Sequence, residues 1–120
     1  MSQPPVLRLR IVFPGHGMVG PGKAELLRRI SETGSIAAAG RAMGMSYKRA
    51  WQLVDTMNAM FGEPVVISTR GGTKGGGAEV TDTGRAVLDA YAGAVAAAEK
   101  ASAAEVARMA DLLGDMSGGK

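Results

Sequence analysis

The chain has 120 residues, no cysteine and a single histidine, and its aromatic residues are one Trp, two Tyr and two Phe. Such a length supports one domain with a modest core of Ala, Val, Leu, Ile and Met, and the composition excludes disulfides, thiolate metal centres and a histidine-rich metal site. The formal charge of +3 is unevenly placed: residues 1–78 hold ten Lys/Arg against four Asp/Glu, and residues 79–120 hold four against seven, so a front that suits a polyanion precedes an acidic tail.

Val6 to Phe13, VLRLRIVF, alternates and predicts a strand with Arg8 and Arg10 on one face. Pro14 to Gly22 holds four glycines and two prolines and predicts a loop. From Lys23 to Thr33, Leu26, Leu27 and Ile30 recur at helical spacing, and Gly34 stops the helix. Ser35 can cap a second helix, Ile36 to Met43, made almost wholly of small residues and ended by Gly44. Ser46 can cap a third, running to about Phe61, with Ala50, Val54, Met57 and Phe61 on one face. Gly62 and Pro64 close it, and Val65 to Thr69 reads as a β-branched strand. RGGTKGGGA follows, with five glycines in nine residues and two cations, before a short return strand at Glu79-Val80. Thr81 then caps a long Ala-rich helix in which Leu88, Tyr91, Val95 and Ala98 step by three and four. Ser102-Ala103-Ala104-Glu105 has the form of a capping box. Two outcomes stay open there: one continuous helix, or a break near Ser102 and a second short helix to about Leu113. The end, GDMSGGK, is expected to fray.

Two nucleotide-binding patterns overlap in the first glycine segment. Gly15 to Gly20 spells G-x-G-x-x-G, and Gly17 to Lys23 spells G-x-x-x-x-G-K. A dinucleotide site needs a second parallel strand after the following helix, with an acidic residue near its end. That place is held by TGSIAAAGRAMG, which is helical, and Glu32 comes too early. A phosphate-binding loop needs Ser or Thr after the lysine to hold Mg²⁺, and Ala24 stands there. The glycines are therefore expected to form a flexible connection.

Residues 35–61 have the pattern of a helix-turn-helix. Two helices crossing steeply need small residues at the contact, which Ala37, Ala38, Ala39 and Gly40 supply, and Gly44 suits a turn with positive φ. Opposite the buried face, the amino end of the second helix presents Ser46, Tyr47, Lys48, Arg49 and Gln52. Lys48 and Arg49 can pair with phosphates or guanine edges, and Gln52 can pair with adenine. Ser46 can donate to a phosphate while capping, Tyr47 offers a hydroxyl or a ring, and Ser35 stands at the start of the preceding helix. Trp51 either packs under the hairpin, the favoured reading, or lines the groove. A strand, a glycine-rich basic tip and a return strand directly after such a helix make the wing of a winged helix, with Arg70 and Lys74 carrying the charge to a sugar-phosphate strand.

Thr33-Gly34-Ser35, the run Met45-Ser46-Tyr47-Lys48-Arg49-Ala50-Trp51, the pair Met57-Asn58 and the glycine wing with Lys74 resemble the amino-terminal domain of molybdate-responsive regulators of the ModE type. Val80 to Arg85 resembles the segment after the wing that LysR-type regulators share. The resemblance covers roughly residues 6 to 98. It implies a winged helix-turn-helix, dimerisation through flanking helices, and operator binding upstream of metal-transport genes. Oxyanion-sensing members carry a strand-rich ligand domain after the DNA-binding part, whereas this sequence ends in an Ala-rich helix, so molybdate binding is not carried over.

The expectations are thus a mainly α fold with a small β-hairpin: a winged helix-turn-helix DNA-binding domain over 1–81 and a helical dimerisation region over 82–120. The expected function is sequence-specific transcriptional regulation by a homodimer on double-stranded DNA, in the cytoplasm, without a cofactor or metal. No Ser-His-Asp, Cys-His or paired-carboxylate arrangement suggests catalysis, and His16 stands alone in its glycine segment. No apolar run approaches the ~20 residues of a membrane span, and MSQPPV lacks the order of a secretory signal. The alternative is a protein-interaction module, or an accessory partner of a full-length regulator, that keeps the fold and docks through its last helix. Basic residues on both the third helix and the wing favour the first reading.

Overall fold

The computed structural model describes residues 3–69 and 77–114. In chain order these form β1 (Ile11–Phe13), β2 (Gly17–Val19), α1 (Pro21–Thr33), α2 (Ile36–Ala42), α3 (Tyr47–Met60), β3 (Val66–Thr69), β4 (Gly77–Val80), α4 (Asp82–Ala101) and α5 (Ala103–Asp111). β1 pairs with β2 and β3 with β4, both antiparallel, as two separate hairpins. The architecture is a winged helix-turn-helix with a helical carboxy-terminal extension.

The loop expected over Pro14–Gly22 is instead a hairpin and the start of a helix. The His16 amide donates to the Phe13 carbonyl at 2.9 Å, and Gly15 has φ +83°. Pro at the second position and a positive-φ Gly at the third are what a type II turn requires, and that turn sends the chain back along β1. Register Ile11↔Val19, Val12↔Met18 and Phe13↔Gly17 follows. Gly20 is the N-cap of α1, Pro21 opens the helix, and the Lys23 ammonium donates to the Met18 carbonyl at 2.9 Å. Each glycine of the two nucleotide patterns therefore belongs to a turn, a strand, a cap or a helix. Only the last three residues of the expected Val6–Phe13 strand are strand. Residues 6–10 keep the alternation all the same, with Leu7 and Leu9 half-buried and Arg8 and Arg10 exposed. This arm runs beside α4, where the Tyr91 hydroxyl donates to the Leu9 carbonyl at 2.5 Å.

The core lies between the three-helix unit and the second hairpin. Leu26, Leu27 and Ile30 of α1, Ile36 and Ala39 of α2, and Ala50, Val54 and Met57 of α3 are buried against Val65, Val66, Ala78 and Val80. Burying each large aliphatic side chain contributes about 1.5–3 kcal/mol, so the helical spacings read from sequence are where stability resides. One member differs. Phe61 was expected on the buried face of the third helix, but α3 ends at Met60, Phe61 is extended (φ −106°, ψ 163°) and half-buried, and Met60 is buried in its place. Met60 meets the first hairpin: a Cβ built on Gly17 would stand 3.0 Å from its sulfur.

Gly84 is the one buried residue of α4, and Val87 and Leu88 in its second turn pack half-buried against the core. A break does occur at Ser102, yet the capping box does not form. Ser102 is the C-cap of α4, with its amide donating to the Ala98 carbonyl, and its side chain makes no cap bond to α5. The hydroxyl is buried without a hydrogen-bond partner among the described residues. At φ −99°, ψ 5°, rather than the extended backbone usual at an N-cap, Ser102 does not hold the pose that reaches the next turn's amides. α5 ends at Asp111, short of the expected Leu113. No described helix is long and apolar enough to cross a membrane.

On the outer face of α1, Glu25 accepts from Arg28 at 2.7 Å and Arg29 at 2.6 Å, and Arg28 also pairs with Glu32 at 2.7 Å. The hydrogen bond from Arg28, helped by Arg29 against partial desolvation, holds the Glu25 carboxyl below its ordinary value, and Glu25 in turn raises Arg28. Stability from a lowered carboxyl is full above the ordinary carboxylate range and is lost as pH falls through the lowered value. Glu25→Gln is therefore expected to melt slightly below wild type at neutral pH, the gap closing on acidification. A gap that stays constant down to the acid limb would rule out this contribution, which thermal melts at several pH values would measure.

Candidate nucleic-acid interface

The helix-turn-helix is assembled from local signals. The Gly34 amide donates to the Ile30 carbonyl at 2.8 Å with φ +71°, and its own carbonyl accepts from Ala78 at 2.9 Å, tying the end of α1 to β4. The Ser35 hydroxyl accepts from the Ala38 amide at 3.0 Å and caps α2. Gly40 is buried where α2 crosses α3, and a Cβ there would stand 2.8 Å from the Ala50 Cβ, closer than two methyl carbons approach. Gly44, at φ +74°, makes the turn. The Ser46 hydroxyl then accepts from the Arg49 amide at 3.0 Å and starts α3.

With Ala50, Val54 and Met57 facing inward, the opposite side of the amino half of α3 faces solvent. Ser46, Tyr47, Lys48, Arg49 and Gln52 are all exposed. Trp51 is half-buried and packs against the core, with Tyr47 edge-on to it at a ring separation of 6.2 Å and 80° between planes. Tyr47 remains 58% exposed, so its hydroxyl is accessible to a partner while its ring leans on Trp51. The charges on α1 and α3 differ in kind. Arg28 and Arg29 are neutralised by Glu25 and Glu32, whereas Lys48 and Arg49 form no ion pair among the described residues. An unpaired exposed cation sheds only water and counterions when it meets a phosphate, and that release drives non-specific binding to nucleic acid.

Ser35 lies at the entry to α2, half-buried and committed to its cap. Arg70 and Lys74 lie outside the described residues. They fall between β3 and β4, whose register runs Val66↔Val80 to Thr69↔Gly77. Two exposed residues escaped the sequence reading: Arg41 on α2, and Asp55, three residues beyond Gln52 and seven beyond Lys48 on α3. That spacing places Asp55 on the same stripe as Lys48 and Gln52, and periodicity alone was enough to find it. Asn58, part of the Met57-Asn58 pair that carries the resemblance, bonds through its side chain to both Val65 and Val66.

Residues 22–85 match the family described as bacterial regulatory helix-turn-helix proteins, lysR family. That match spans more than half of the chain, from α1 through the first turn of α4. The chain is 39% identical over 90 residues to the molybdenum-pterin-binding protein MopA of Rhodobacter capsulatus, covering 75% of this chain and 34% of that protein. It is 42% identical over 69 residues to the molybdenum transport protein ModE of Azotobacter vinelandii, covering 58% and 26%. To the DNA-binding transcriptional dual regulator ModE of Escherichia coli K12 it is 35% identical over 71 residues, covering 59% and 27%. The aligned regions span about a third or less of each of these relatives. With α2, the turn, α3 and the second hairpin all inside the matched span, the chain belongs to the lysR family of bacterial regulatory helix-turn-helix proteins.

Proposed function

We propose that this chain is a transcriptional regulator that binds double-stranded DNA as a homodimer, with α3 in the major groove and the β3–β4 hairpin on the neighbouring backbone. One observation carries the reading: Lys48 and Arg49 stand exposed and without described acidic partners on the amino half of α3, beside exposed Gln52 and Tyr47. In this assignment Lys48, Arg49 and Gln52 reach base edges or phosphates. Ser46 and Tyr47 hold phosphate, Ser35 lies against the backbone, and Arg70 and Lys74 supply the wing's charge. Residues 1–81 form the DNA-binding domain and 82–120 the dimerisation region. The site of action is the cytoplasm, and the chemistry is binding rather than catalysis. A relative whose name describes a DNA-binding transcriptional regulator supports the class. A protein-docking module has no need for basic residues on both α3, at Lys48 and Arg49, and the wing, at Arg70 and Lys74.

Titration of the purified protein against a selected duplex and a scrambled one, at two salt concentrations, tests this. Binding is expected to weaken by orders of magnitude as salt rises severalfold, and the selected duplex is expected to hold tighter by a factor of roughly a thousand or more. Absence of binding at low salt would end the proposal.

The dimer reading is supported by apolar surface that the described residues leave exposed. Met109, Leu112 and Leu113 are 60%, 67% and 75% exposed, and Leu88, Tyr91 and Val95 of α4 are only half-buried. Covering such a stripe stabilises association by roughly 25 cal/mol per Å² of apolar surface removed from water. Sedimentation at tens of micromolar is expected to show a dimer, and a monomer alone would overturn this part.

A further inference from the structure

We infer that Asn58 is a positioning residue: it fixes the angle between the reading helix α3 and the β3–β4 hairpin, and so sets where the wing meets DNA relative to the groove contacts. The inference rests on the DNA-binding reading above and deepens it.

Asn58 lies in the last turn of α3. Its Oδ1 accepts from the Val65 amide at 2.7 Å and the Val66 amide at 3.1 Å, and its Nδ2 donates to the Val66 carbonyl at 3.0 Å. A side-chain amide has one oxygen with two lone pairs and two N–H donors, so three of four positions are committed to the root of β3. The amide stands in for a neighbouring strand at the point where the wing begins. From the far side, the Thr81 hydroxyl donates to the Pro64 carbonyl at 2.7 Å and the Thr81 amide to the Val65 carbonyl at 3.0 Å. Residues 64–66 are thereby gripped by α3 on one side and by the start of α4 on the other.

The grip matters because of what joins α3 to β3. That link contains Gly62, exposed and with nothing within 4 Å of its would-be Cβ. A glycine link of this kind permits pivoting. Val65 and Val66 are already buried against the core, which holds the strand down. Apolar packing is non-directional, however, whereas three hydrogen bonds to two successive residues fix direction. The hairpin is a lever, and a small rotation at its root becomes a larger displacement farther out. A regulator with groove and backbone contacts needs those two contacts at a fixed separation along the duplex.

Hydroxyl-radical footprinting on a selected duplex, with the salt dependence of binding, tests the role in Asn58→Ala and Asn58→Asp. Asn58→Ala removes all three bonds. It is expected to keep protection of the central groove positions, to lose protection of the flanking phosphates, and to lower the salt slope by about one unit. Asn58→Asp keeps the two accepted bonds but sets an oxygen against the Val66 carbonyl, so a smaller loss at the same flanking positions is expected. If Asn58→Ala does not fold, the aspartate variant is decisive by itself. A folded variant with a wild-type footprint and slope overturns the inference. So does a loss of central and flanking protection in equal measure, which a merely structural role would give. A wild-type chain that protects no duplex would overturn the DNA-binding reading and this inference with it, a result distinct from the other two.

Discussion

Gly84→Ala is expected to lower the melting temperature by on the order of 10–20 °C, a loss of ~3 kcal/mol or more. Gly84 sits in the first turn of α4, beneath the Thr81 cap, whose hydroxyl accepts from the Gly84 amide at 3.0 Å. A Cβ there would overlap the Val65 carbonyl oxygen and stand 2.7 Å from Val80 Cγ1. Backbone, unlike a flexible side chain, cannot step aside cheaply. The Val65 carbonyl accepts from Thr81, the Val65 amide donates to Asn58, and Val65 is wholly buried. Relief would have to come from lifting α4 off the hairpin or breaking the grip on residues 64–66. Gly93→Ala is the internal control, because it lies in the same helix with nothing within 4 Å. There alanine is expected to stabilise by about 0.5–1 kcal/mol through helix propensity alone. Opposite signs at two glycines of one helix would separate close packing from propensity. If Gly84→Ala melted at or above wild type, the close approach of α4 to Val65 would be wrong.

What the sequence discloses and what it conceals divide along the range of the interactions. Ser35, Ser46 and Thr81 are readable as caps because each bonds an amide three residues away, and Gly44 is readable because a tight turn declares its need for positive φ. The exposed face of α3 is readable as the complement of a buried stripe at Ala50, Val54 and Met57. Concealed features depend on partners that the local pattern does not show. Met18 and Val19 become strand only by pairing back onto Val12 and Ile11, and the dense glycines around them hide that return. Asn58 looks like an ordinary polar helix residue until β3 arrives beside it. Ser102 carries the sequence of a capping box, but its backbone takes the conformation of a helix end, so the box has nothing to close on. The long helix gave two open outcomes because an Ala-rich register weakens without declaring a turn.

Lys48, Arg49 and Gln52 are expected to behave differently from the wing cations when replaced, and the difference tests how the interface reads DNA. Arg70 and Lys74 fall in the glycine-rich connection between β3 and β4, and their proposed partners are phosphates, which carry no sequence information. Lys74→Ala should then weaken binding to selected and scrambled duplexes alike, lowering the salt slope by about one unit. The three α3 side chains are exposed on the amino half of a helix whose other face is locked into the core, so they point outward together. An alanine at whichever of them reads a base edge should cost roughly 1–3 kcal/mol on the selected duplex and less on the scrambled one. Both ends of α3 are fixed, by the Ser46 cap at 3.0 Å and by the Asn58 bonds to β3, so loss of a side chain should not be masked by the helix sliding to a new register. The comparison requires melting curves beside the binding curves, and exposed side chains are expected to move stability little. If all three variants kept wild-type discrimination between the two duplexes, α3 would not be the reading element. The exposed cations would then act only by charge, and sequence preference would have to arise elsewhere on the chain.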